Sequence, residues 1–282
     1  MKRNVKICLI LTLLSIVFLS QDAFSDAEEE FHQTYTVDAG TEINVHNVSG
    51  RIRVIGWDED YVDVYALLRT KYDRDELDLV TIDVTTNGVM EITTLMEKRK
   101  EEDTFFGRLF GSIYRRTARV NVEYTIKLPK SVTLASATNT NGNVEVDGTS
   151  GDSYLKTTNG SVEAENTDGF IEAKTTNGNI SITNGAVARS AKTTNGSIRA
   201  SISDNFFDET DFSTTNGSID LLVPKDIDAD IELKTVNGGI SLDGIRLLVE
   251  NMSKRNVTGS LGSGGKKIYV RTINGGITLQ ED

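Results

Sequence analysis

Apolar and polar residues alternate with a period of two along most of the chain, and the dipeptide Asn-Gly breaks the alternation at regular intervals. Leu155, Ala173, Ala191, Phe212, Leu233 and Val270 each stand four residues ahead of such an asparagine. Val144, Val162, Ile180, Ile198, Ile219, Ile240 and Ile277 each stand three residues behind one. Two alternating arms that meet at a turn read as two half-buried strands. Asn and Gly accept positive φ at low cost, so the chain is expected to turn where they meet.

The turns recur with a fixed period. Asn141, Asn159, Asn177 and Asn195 lie 18 residues apart, Asn216 and Asn237 follow after 21 each, and Asn274 after 37. The flanks repeat too, as in Lys156-Thr157-Thr158-Asn159-Gly160 and Lys174-Thr175-Thr176-Asn177-Gly178, and a weaker copy stands at Asn87. Glycines at 142, 151, 160, 169 and 178 mark a half-period of nine, so one repeat is two strands and two turns. An antiparallel meander would make each Asn-Gly a type I′ hairpin. A parallel β-solenoid would stack each repeat on the last at ~4.8 Å. The solenoid also explains why the turn sequence itself repeats, because stacked asparagines hydrogen-bond as a ladder, and why Thr157, Thr175, Thr193, Thr214 and Thr235 keep one phase. The expected fold is therefore all-β, a parallel β-solenoid over residues 131–282.

Residues 26–130 read as a less regular β section. Strands are expected over 42–48, 51–55, 61–68 and 118–128, the last ending at Pro129, with a short helical turn over 73–79. Solenoid ends expose unpaired strand edges, so this section is expected to cap the repeats. No Pro- or Ser-rich linker separates the two parts, which predicts one continuous domain. An insertion over 96–119 interrupts the strand pattern.

Residues 1–25 are set apart. Lys2, Arg3 and Lys6 precede an apolar run from Ile7 to Leu19, and Ala23 and Ser25 supply small residues at a cleavage site before Asp26. Thirteen apolar residues are short of the ~20 that span a bilayer. The reading is a signal peptide, with an extracytoplasmic product that is periplasmic, surface-bound or secreted. The single cysteine, Cys8, would leave with it, so no disulfide is expected.

Composition narrows the chemistry. A formal net charge of -12 disfavours nucleic acid or an anionic membrane as partner for the molecule as a whole. Only His32 and His46 are available for histidine chemistry. No phosphate-binding loop, EF-hand loop or nucleophile elbow occurs, and an acidic pair such as Asp58 and Glu59 is not by itself glycosidase chemistry. Calcium-binding β-rolls need Gly-Gly-x-Gly-x-Asp turns; here acids stand only at scattered places such as Asp147, Asp152 and Asp168. No catalytic residue, metal or cofactor is expected.

Two surfaces remain as candidates. Lys156, Lys174, Lys192 and Lys234 occupy equivalent positions and would form a basic stripe suited to an anionic glycan, offset by neighbours such as Glu172, or simply a solvated face. In the insertion, Phe105, Phe106, Leu109, Phe110, Ile113 and Tyr114 lie on one helical face with Arg108, Arg115 and Arg116 nearby. Such a helix docks on a partner or membrane surface, or folds back over a sheet edge.

The Lys-Leu-Pro-Lys step at 127–130, Val-Pro-Lys-Asp at 223–226, the serial Thr-Asn-Gly-x-Ile units and the tail from Gly264 to Leu279 resemble the bacterial putative-adhesin β-strand-repeat family. The resemblance implies a β-helix-like fold and a cell-envelope or surface location, and it brings no catalytic residues. The function expected first is a non-enzymatic envelope or surface interaction module, with an envelope protein or a glycan as partner. A scaffold or regulator in envelope-stress signalling, docking through residues 105–116, is the second reading. A polysaccharide-active β-helix enzyme is the third, although no cluster of acids can be assembled for it from the repeats.

Overall fold

The alternation in the sequence is an alternation of burial. In Ile219–Val223 and Ala229–Thr235 alternate side chains are buried while those between face outward. The computed structural model describes residues 26–99, 116–204 and 209–281. These form two large mixed β-sheets and a two-stranded ribbon, and the helical turn expected near Asp73 is a 3-10 helix at Arg74–Leu79.

Each Asn-Gly corner from Asn141 to Asn274 joins a strand of one sheet to a strand of the other, so none of these is a hairpin. The weaker copy at Asn87 is one, turning Val80–Thr86 back antiparallel onto Val89–Met96 in the same sheet. The first sheet stacks Ile52–Trp57, Val144–Asp147, Val162–Glu165, Ile180–Thr183, Ile198–Ser201 and Ile219–Val223 in parallel. The second stacks Glu42–His46, Thr133–Thr138, Ser153–Lys156, Phe170–Lys174, Val187–Lys192 and Glu209–Asn216 in the same way. Like lies beside like: Val144 pairs with Val162, Val162 with Ile180, and Ile180 with Ile198. The core between the sheets is correspondingly made of rows. Leu155, Ala173, Ala191, Phe212, Val270 and Leu233 are all 0% exposed, opposite the equally buried row from Val144 to Ile277.

The stacking follows chain order only as far as Asn216. There the last unit, Lys266–Asn274 with Ile277–Glu281, lies between the unit of Glu209–Asn216 and that of Ala229–Thr235. Serial stacking would have put it outermost. The exchange gives the nine-residue Lys266–Asn274 partners on both edges and leaves the four-residue Ile240–Asp243 as an edge of the first sheet. An interior strand satisfies both rows of backbone groups, and short edges are easier to protect. Beyond Ala229–Thr235 the second sheet continues as an antiparallel hairpin of Asn256–Leu261 and Leu247–Met252.

At the other end the sheets run on with antiparallel strands. Asn121–Pro129 pairs in parallel with Ile52–Trp57, and Val62–Thr70 and Ala27–Tyr35 follow antiparallel. A buried polar chain ties these strands together. The Tyr124 and Thr94 hydroxyls lie 2.7 Å apart, Thr94 donates to Asn47 Oδ1 at 3.0 Å, and Asn47 Nδ2 donates to the Val122 carbonyl at 2.8 Å. Burial pushes the Tyr124 phenol up to about 12. Glu76, in the 3-10 helix, accepts the Arg119 backbone N–H at 2.9 Å.

The insertion leaves and returns through an antiparallel ribbon, Lys98–Arg99 against Arg116–Thr117. Phe105, Phe106, Leu109, Phe110 and Arg115, with the helical reading of that segment, lie outside the described residues, as do residues 1–25. Of Arg116 the structure describes the backbone, opposite Arg99.

Candidate functional site

The repeated corner is built from four consecutive residues, each with its own task. In Thr157-Thr158-Asn159-Gly160 the first threonine points inward and donates to the carbonyl of Gly142, one unit back, at 2.9 Å. Thr175, Thr193, Thr214, Thr272 and Thr235 repeat this bond at 2.8–3.0 Å. Without it each hydroxyl would be a buried orphan costing about 1–3 kcal/mol. The residue before each asparagine faces outward: Thr140, Thr158, Thr176 and Thr194 in the middle, Ile273 and Val236 at the end.

The asparagines form one column. Asn159 donates to Asn141, Asn177 to Asn159, Asn195 to Asn177, Asn216 to Asn195, Asn274 to Asn216 and Asn237 to Asn274, all amide to amide at 2.7–2.9 Å. The spatial order ends 216, 274, 237, as the inserted last unit requires.

The glycines correct the reading from turn chemistry. The corner asparagines do not take positive φ; among the described non-glycine residues only Asn166 and Asn184 do. Gly160, Gly196, Gly238 and Gly275 stay outside the left-handed region as well. Glycine is needed because the corners touch: a Cβ on Gly160 would fall on the carbonyl oxygen of Gly142, and one on Gly178 on that of Gly160. Gly142, Gly178 and Gly217 do have positive φ, of 141°, 159° and 158°, so backbone conformation adds to the demand at those three, while close backbone approach is what the corners share.

Beside this corner, on the outer face of the second sheet, runs the row of cations. Register places Lys156, Lys174 and Lys192 on adjacent strands, followed by Ser213, Arg271 and Lys234. Lys234 is therefore not next to Lys192, and Arg271 joins the row. A shallow groove of about 220 Å³ runs between the three lysines and Thr176 and Thr194. Lys174 Nζ donates to Glu172 at 3.1 Å and lies 5.5 Å above the Tyr154 ring; the hydrogen bond to Glu172 holds its pKa above the usual lysine value. Lys192 pairs with Asp211 at 2.7 Å, while among the described residues Lys156 has no acidic partner. Arg271 sits 5.8 Å from the Tyr269 ring. The sequence reading passed over Tyr154, Tyr269 and Arg271. The signal was present, since Tyr269-Val270-Arg271-Thr272-Ile273-Asn274 copies Tyr154-Leu155-Lys156-Thr157-Thr158-Asn159.

Two of the three acids weighed as calcium ligands accept hydrogen bonds from protein groups. Asp147 accepts Asn166 Nδ2 at 2.9 Å, and Asp152 accepts the Phe170 N–H at 3.0 Å. Among the described residues no group of three or more His, Cys, Asp or Glu is placed to hold a metal ion, and no helix is long and apolar enough to cross a membrane.

Comparison with known proteins bears on the whole of this arrangement. Solved structures similar to it include a putative adhesin from Bacteroides fragilis, 16% identical with a TM-score of 0.47, covering 90% of this chain and 97% of the other. A putative adhesin from Parabacteroides distasonis is 16% identical, with a TM-score of 0.40 and the same coverage. A putative cell adhesion protein from Clostridium sporogenes is 12% identical, with a TM-score of 0.35, covering 90% of this chain and all of the other. No curated protein matches. The profile of the Toastrack DUF4097 family matches residues 41–280, and the chain belongs to that family.

Proposed function

We propose that this chain is an exported β-solenoid that works by contact and not by catalysis, an adhesin-like module of the cell envelope or surface whose ligand is an anionic glycan. Residues 1–25 act as the cleaved signal, residues 26–130 close one end of the stack, and residues 131–282 carry the display. The observation behind this reading is the cation row of Lys156, Lys174, Lys192, Arg271 and Lys234, which only Ser213, between Lys192 and Arg271, interrupts, with Tyr154 and Tyr269 beside it. Adjacent strands are ~4.8 Å apart, so the row offers an extended polyanion a line of weak contacts that add by multivalency. The ion pairs to Glu172 and Asp211 are exposed and worth roughly 0–1 kcal/mol each, so a ligand carboxylate or sulfate can displace them. Tyrosine, with two side-chain torsions, loses little entropy on binding, whereas each lysine that a ligand immobilises costs about 0.5–1.5 kcal/mol.

The test is retention on a linear polyuronate with a neutral glucan of similar length as control. The triple change Lys156→Glu, Lys174→Glu, Lys192→Glu is expected to abolish binding, and binding by the unmodified protein is expected to weaken as salt rises. Equal retention on the neutral glucan, or a triple variant that still binds, rejects the reading.

A further inference from the structure

The two large sheets have four edges, and they are not equally protected. Ala27–Tyr35 carries Glu28, Glu29 and Glu30, with Glu28 paired to Arg69 at 2.8 Å. Val80–Thr86 has Asp83 at its centre, and Ile240–Asp243 is only four residues long. Leu247–Met252 differs from all three. It is the last strand of the second sheet, its outer edge is unpaired among the described residues, and Leu248, Val249 and Met252 are 74%, 45% and 63% exposed. Charge, brevity and bulges are the usual defences of a sheet edge; this one has a single charge, Glu250, at a bulge, and otherwise presents large apolar side chains.

Its sequence is self-complementary. Residues 246–250 read Arg-Leu-Leu-Val-Glu. If two copies pair antiparallel about a two-fold axis through Leu248, Arg246 faces Glu250 of the partner subunit, Leu247 faces its Val249, and the two Leu248 side chains face each other. Arg246 and Glu250 are exposed and form no ion pair within the described residues. Glu250 is also the residue that the register shift in this hairpin leaves without an opposite number on Asn256–Leu261. Shifting the axis to Glu250 would set two glutamates against each other and Arg246 against Lys254, so charge selects the register through Leu248.

We propose that the edge strand Leu247–Met252 pairs with the same strand of a second copy, joining the second sheets of two chains into one continuous sheet. The interface is isologous and closes at two subunits. It places the two cation rows on one extended face and doubles the number of contacts a polymer can make. The proposal stands without the glycan reading, because nothing in it depends on what the lysines bind.

The experiment is sedimentation velocity on the protein as the producing cell processes it, over a concentration series. The unmodified protein is expected to be a dimer. Arg246→Glu and Glu250→Arg, each made alone, turn both symmetry-related attractions into repulsions and are expected to weaken the dimer by about tenfold to a hundredfold. The double variant restores the cross-strand pairs and is expected to dimerise again. Leu248→Lys, at an exposed position that folding does not depend on, is expected to give monomer with an unchanged strand signal in circular dichroism. A monomeric unmodified protein overturns the proposal. So does a double variant no better than the singles. Open-ended polymers in place of dimers also overturn it, since they would mean that this edge meets the Val80–Thr86 edge of the next copy.

Discussion

The middle of the stack and its ends solve the same packing problem differently. From Thr157 to Val223 each unit repeats the same hydrogen bonds, inward threonine to glycine carbonyl, asparagine to asparagine, glycine against glycine, while the unit before has Asn139 at the inward position, donating to the Gly50 carbonyl. The first unit, Glu42–His46 with Ile52–Trp57, keeps the geometry and changes the residues. Ser49 stands where the column has asparagine, bridged to Asn141, and Asn47 takes the threonine position. At the far end the residues are unchanged and the order of units is altered. Repetition fixes the chemistry of a slot but not its occupant, and the ends are where the chain uses that freedom.

The sharpest way to break this contrast is at the glycines. Gly160→Ala, at a corner without positive φ, puts a methyl group onto the carbonyl of Gly142 inside the stack and is expected to cost about 2–4 kcal/mol. Gly239→Ala, one residue past the terminal corner and with open space around it, is expected to cost under about 1 kcal/mol. Urea unfolding of both variants measures the difference. Equal costs would mean that the corners relax and that close approach is not what selects glycine.

A smaller effect separates inner from outer asparagines. Asn177 both donates to Asn159 and accepts from Asn195, while Asn237 only donates, to Asn274. Asn177→Ala is expected to destabilise by about 1–2 kcal/mol and Asn237→Ala by about half as much. The same unfolding series reads both, and a column that contributes nothing would leave them alike.

The smallest expected change at neutral pH sharpens the view of the N-terminal end. Tyr124 titrates near 12 in the folded chain against an ordinary value of 10.0, because burial disfavours the phenolate. A raised pKa means that the stability Tyr124 contributes is whole below about pH 10 and is lost as pH climbs through 12. Tyr124→Phe gives up the contact with Thr94, costing about 1 kcal/mol at pH 7, and is expected to lose less stability between pH 10 and 12 than the unmodified protein. Tyr35, also pushed up to about 12 by burial, keeps part of that slope in the variant. Identical slopes would mean that Tyr124 does not sense the buried site.

Much of this was legible in advance. Period two gave the strands, and the 18-residue spacing together with the repeated turn sequence pointed to the asparagine column. What could not be read was which unit lies beside which. Asn216, Asn237 and Asn274 carry nearly the same flanks, so the two slots at the C-terminal end are chemically interchangeable. Connection length and strand length decide between them, and neither has a residue signature. The glycines were read for only one of their two properties: positive φ holds at Gly142, Gly178 and Gly217, but turn chemistry is local, whereas a collision with the previous unit exists only once the units are stacked. Arg271 was missed for a related reason, since its place in the cation row depends on the exchanged order.

That exchange bears on how the molecule comes into being. A polypeptide emerging N-terminus first can lay down its layers in succession from Glu42 to Val223, each on a finished template. The layer at 229–243 finds no permanent seat, because its neighbour at 266–281 has not yet arrived. Assembly must therefore pause with the tip unfinished and complete itself only when the final residues are free. A chain cut short before Lys266 would be left with a vacant berth that no earlier segment fills.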